Sequence, residues 1–132
     1  MKTANKKIPT DVQEKANSII ADFNNKTFPK NSGVEYYAVF RGTFLYLNRI
    51  EGDLDGPIAR LKYNGAFTDW DFAIYKWSKE RYDPIEYLFP GYEFANGTIE
   101  GAMKAGNKAY PPRWAPPATS GFQNFIKQIF GK

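Results

Sequence analysis

The chain has 132 residues, enough for one domain with its own apolar core and no need of cross-links. Cysteine and histidine are both absent, which excludes disulfides, thiolate nucleophiles, thiolate or imidazole metal sites and histidine acid–base chemistry. The net charge of +4 is unevenly spread, with +4 on residues 1–50, −5 on 51–100 and +5 on 101–132.

Two basic ends therefore flank an acidic middle, whereas a polynucleotide binder gathers its cations on one surface. Any catalysis would have to rest on carboxylates, Lys, Tyr or Ser/Thr, which lowers the expectation of an enzyme; no metal or cofactor is expected. No apolar run reaches the length of a membrane span. The basic N-terminus has no apolar segment behind it, so the expectation is a cytoplasmic protein without membrane contact. The sequons at 25–27 and 96–98 read as chance matches.

Residues 1–9 are expected to be disordered. A helix is expected over 11–24, with Thr10 as N-cap and Gln13 reaching back, and with Val12, Ala16, Ile19, Ile20 and Phe23 as one apolar stripe. Residues 35–40 and 43–50 read as a hairpin about Arg41-Gly42, 51–57 as an acidic loop and 58–63 as a third strand. In "DWDFAIYKW" (69–77) the aromatic and β-branched content favours a strand over a helix. The stretch 78–94 reads as irregular, with room for one short strand.

From Thr98, a good N-cap, apolar and small residues at Ile99, Ala102, Met103, Gly106, Ala109 and Tyr110 keep helical period, and Pro111-Pro112 end the run. Gly101 and Gly106 inside this helix each cost about 1 kcal/mol relative to alanine, so close packing of the helix on the sheet is expected to offset them. A Pro-rich tether over 111–119 then leads to a short interaction helix over 120–130, whose apolar residues Phe122, Phe125, Ile126, Ile129 and Phe130 are expected to dock either on the domain itself or on a partner. The expected fold is α+β: an antiparallel meander of four or five strands with two helices packed on it, in one domain.

Motif readings add little chemistry. Gly101 to Gly106 has the glycine spacing of a phosphate-binding loop, but Asn107-Lys108 stands where Lys-Ser/Thr is required. "EGDLDG" (51–56) resembles the start of a calcium loop, but Lys62 occupies the place of the closing acid. The carboxylate pairs Asp53/Asp55 and Asp69/Asp71, with Glu93, would need to converge in one cleft to do acid–base work.

Aromatics make up 17% of the chain, too many for one face of a small sheet. Two readings follow. Either helices or the 78–94 segment cover both faces, or one face is an aromatic platform flanked by Arg49, Arg60, Lys62 and Lys76, with Tyr75 and Trp77 stacking bases or sugar rings.

The run from Phe72 to Pro111, "FAIYK…FPGYEF…GTIEGAMKAGNKAYP", resembles the core of a small bacterial domain family without an assigned function. Residues 89–110 separately resemble a segment of HicB-type antitoxins, departing from it at Gly101, where that family prefers an acid. This second resemblance implies a sheet-plus-helix unit used in protein contacts. The helix–strands–helix order is also similar to that of double-stranded RNA-binding domains, but Thr98-Ile99-Glu100-Gly101 replaces their basic cluster. The expected function is a non-enzymatic interaction module with a protein partner or a second copy of itself; the alternative is binding of single-stranded nucleic acid or sugar on an aromatic and basic sheet face.

Overall fold

Apolar residues three and four apart, Val12, Ala16, Ile20 and Phe23, wind the first element into α1 (Thr10–Thr27) and form its buried stripe. The structure, a computed structural model, describes residues 7–84 and 89–112. α1 does not start with the expected capping box. Pro9 is its N-cap, and the Gln13 side-chain amide donates instead to the Ile8 carbonyl at 2.9 Å. Ile8, inside the leader expected to be disordered, is buried in the core, and its N–H donates to the Gly42 carbonyl at 2.9 Å.

Five strands follow as an antiparallel meander: β1 (Val34–Arg41), β2 (Phe44–Glu51), β3 (Leu54–Tyr63), β4 (Trp70–Lys76) and β5 (Arg81–Asp83). The ambiguous stretch around Trp70 is thus a strand, and β5 is the short strand within 78–94. β3 begins earlier than expected. The acidic stretch is mostly strand, because Gly52, with φ of 63°, lets the chain reverse within a two-residue turn. Asp55 consequently belongs to β3, which removes the calcium-loop geometry. A bulge opposite Leu47 and Asn48 then turns both Ile58 and Ala59 into the core.

Residues opposed across antiparallel strands share a face, so the register sorts the side chains. Tyr36, Leu45, Leu47, Leu61, Trp70 and Ile74 fall on one face and are buried with α1 and α2 (Ile99–Ala109). Tyr37, Val39, Tyr46, Arg60, Lys62, Asp71 and Tyr75 fall on the other. Both helices pack on the first face, α1 mainly against β1 and α2 against β3 and β4. Asn24 of α1 also shields the outer edge of β1: it accepts from the Tyr36 N–H at 2.9 Å and donates to the Tyr36 carbonyl at 3.0 Å.

Thr98 caps α2 as expected, its hydroxyl accepting the Gly101 N–H at 2.9 Å. The two helix glycines do different things. A Cβ on Gly106 would stand 2.5 Å from Ile58 Cγ2 and 2.8 Å from the Tyr36 hydroxyl, so this glycine permits the approach to the sheet. A Cβ on Gly101 would strike the Phe94 carbonyl and the Asn96 side chain instead. Gly101 thus makes room for the chain after the 3-10 turn Tyr92–Phe94, and the expectation that both glycines face the sheet is corrected. No helix among the described residues is long and apolar enough to cross a membrane. The 113–119 part of the tether and the 120–130 helix, with Phe122, Phe125, Ile126, Ile129 and Phe130, lie outside the described residues.

Candidate functional site

The face of the sheet away from the helices carries a ribbon of aromatic rings. Phe44 and Tyr46 alternate with the buried Leu45 and Leu47 along β2, so the strand's pleat turns them outward. Tyr46 lies 5.6 Å from Tyr82 of β5, Tyr82 lies 5.0 Å from Tyr75 of β4, and Tyr75 lies 5.0 Å from Trp77 just beyond β4. All three pairs meet edge to face, the arrangement favoured by ring quadrupoles. The Arg60 guanidinium sits 4.7 Å from the Phe44 ring centre and 5.3 Å from that of Tyr82, while Arg41 sits 5.8 Å from Tyr46. The Tyr82 phenol is pushed up from its ordinary range, first by burial and then by Tyr46 and Tyr75, with Arg60 and Arg41 opposing. The rings are half-buried by one another, and Trp77, at the end of the ribbon, is 53% exposed.

Charge on this face is divided along the strands. Arg41, Arg60 and Lys62 lie toward the β1–β2 turn, with Asp71 opposite Lys62. Glu35 and Asp55 lie at the other end. The Tyr37 hydroxyl donates to Asp55 at 2.8 Å, and the Asn48 side-chain amide donates to the Tyr37 oxygen at 3.3 Å. The face thus balances three cations with three carboxylates.

Of the residues singled out from sequence, Arg60, Lys62, Tyr75 and Trp77 belong to this surface or its rim. Arg49 does not. It pairs with Tyr36 on the helix-covered face and is only 4% exposed. Its Nε and one terminal nitrogen hold the Glu51 carboxylate at 2.9 and 2.7 Å. That same nitrogen donates to the Tyr110 carbonyl at 2.6 Å, and the other terminal nitrogen donates to Asn107 at 3.0 Å and to the Tyr36 hydroxyl at 3.4 Å. Such a guanidinium is committed to joining β2 to α2 and the chain after it, with no donor left over for a ligand. Phe44, Tyr46, Tyr82 and Arg41 were missed by sequence reasoning; the Phe44–Tyr46 alternation was the available signal.

A concavity of about 310 Å³ adjoins the ribbon, lined by Arg49, Glu51, Leu54, Ile58, Trp77 and Tyr110. Trp77 lies against Gly56, where a Cβ would come within 3.1 Å of its ring. The candidate carboxylates do not converge. Asp53 and Asp55 are at one end of β3 and Asp69 and Asp71 at the opposite end of the sheet, while Glu93 lies in the 3-10 turn. Among the described residues no three or more Asp or Glu side chains gather as metal ligands.

Comparison with protein-family models, with curated proteins and with solved structures found no match.

Proposed function

We propose that the protein is a non-enzymatic interaction module that binds another protein through the open face of its sheet. The observation carrying this reading is the aromatic ribbon of Phe44, Tyr46, Tyr82 and Tyr75, interleaved with Arg60 and Arg41, on the face that neither helix among the described residues covers. Tyrosine, tryptophan and arginine are the residues that concentrate binding energy at protein interfaces. Stacking of single-stranded nucleic acid would use the same rings, but a polyanion needs an excess of cations along its track. The balance of Arg41, Arg60 and Lys62 against Glu35, Asp55 and Asp71 favours a protein.

Photo-crosslinking tests the reading. With p-benzoylphenylalanine replacing Tyr46, cells making the protein are expected to yield discrete protein adducts on irradiation. The same probe replacing Ala21, exposed on α1, is expected to yield none. Equal adducts from both positions would defeat the proposal. Salt-sensitive quenching of tryptophan fluorescence by oligonucleotides, with no protein adduct, would put nucleic acid in the partner's place.

A further inference from the structure

We infer that the partner seated on the open face is a second copy of this chain, bound face to face about a twofold axis that runs across the strands. This rests on the proposed role of that face and specifies its occupant. The argument is charge complementarity. The end of the face near the β1–β2 turn carries Arg41 and Lys62 against one acid, Asp71, with Arg60 further in beside Tyr46, while the opposite end carries Glu35 and Asp55.

A twofold axis lying in the interface can run along the strands or across them. Along the strands, it sets like ends against each other, cation on cation and acid on acid. Across the strands, it reverses one copy end for end and brings each basic end over the acidic end of its mate. A closed, self-complementary dimer therefore has one electrostatically favourable orientation. Tyr46 and Arg60 oppose each other between the two charged ends, so this orientation also brings the middles of the two aromatic ribbons together. Antiparallel sheets that pack face to face bury their apolar inner surfaces in this way.

Two charge-swapped full-length chains test the inference, Arg41→Glu with Lys62→Glu in one and Glu35→Lys with Asp55→Lys in the other. All four side chains are exposed, and circular dichroism checks that each variant keeps the fold. By sedimentation equilibrium, the wild-type chain is expected to dimerise, and each variant alone to associate at least about tenfold more weakly. An equimolar mixture of the two is expected to recover dimer, because both ends are then complementary again. The neutralised pair Arg41→Gln with Lys62→Gln should weaken association by a smaller factor.

A wild-type chain that stays monomeric to millimolar concentration overturns the dimer. So does undiminished self-association of both swapped chains, or failure of the mixture to recover dimer. Adducts from position 46 only to residues 113–132 of the same chain would also overturn it. Monomeric protein with adducts to a different protein in cells would leave the protein-contact reading standing; monomeric protein with no adduct at all would remove both.

Discussion

Replacing Arg49 with methionine is expected to destabilise the domain by about 3–5 kcal/mol, the cost of breaking a buried, fully bonded ion pair by removing one partner. The side chain is nearly sealed from water and supplies hydrogen bonds to Glu51, Tyr110, Asn107 and Tyr36 together. Methionine fills the volume but donates to none of them, and the Tyr110 carbonyl loses a 2.6 Å contact. Urea unfolding measures the loss directly. A change under about 1 kcal/mol, the range of surface ion pairs, would mean that the network is no clasp.

The same variant has a spectroscopic signature at Tyr36. Burial pushes this phenol up to about 12, and the Arg49 guanidinium opposes that rise. In the wild-type protein the folded-state value therefore lies above the ordinary value of 10.0. The neutral phenol's contribution to stability is complete below pH 10 and is lost as pH rises toward 12. Loss of the guanidinium is expected to move Tyr36 ionisation still higher in whatever folded fraction remains.

Gly106→Ala is expected to destabilise the fold by roughly 2–3 kcal/mol, although alanine is the better helix former by about 1 kcal/mol. The added methyl meets Ile58 and the Tyr36 hydroxyl, which is itself held by the Met103 carbonyl at 2.9 Å and by Asn107 at 2.7 Å. Neither neighbour is free to swing away, so α2 has to lift from the sheet. Thermal and urea unfolding of this variant, beside Ala109→Gly at the end of the same helix, separates the packing effect from propensity. A Gly106→Ala protein more stable than wild type would show that the helix does not depend on this close approach.

Local pattern carried much of the fold. The Thr98 cap, the helical period after it and the alternation around Trp70 each depend on a few neighbouring residues, and each formed where expected. Arg49 shows where such reading stops. Within β2 it shares parity with Leu45 and Leu47, which already points inward, but its side relative to Arg60 depends on the register and on the bulge before Ala59. Cross-strand register is a long-range property that no local period encodes.

Tyr82 was hidden for a different reason. β5 is three residues long, begins after Glu80 in a left-handed conformation with φ of 53°, and offers no alternation to detect. Gly101 illustrates a third limit, since its spacing suited the sheet while the atoms that exclude a side chain belong to the segment preceding the helix.

Hydroxyl-radical footprinting of the tyrosines, read ring by ring in dilute and in concentrated or partner-bound protein, bears most directly on the claim that the open face is the interaction surface. Tyr46, Tyr75 and Tyr82 are expected to label in the dilute protein and to become protected together on association, while Tyr36, 2% exposed, resists throughout. Labelling of those three rings that association leaves unchanged, or their protection already in the dilute monomer, would contradict it.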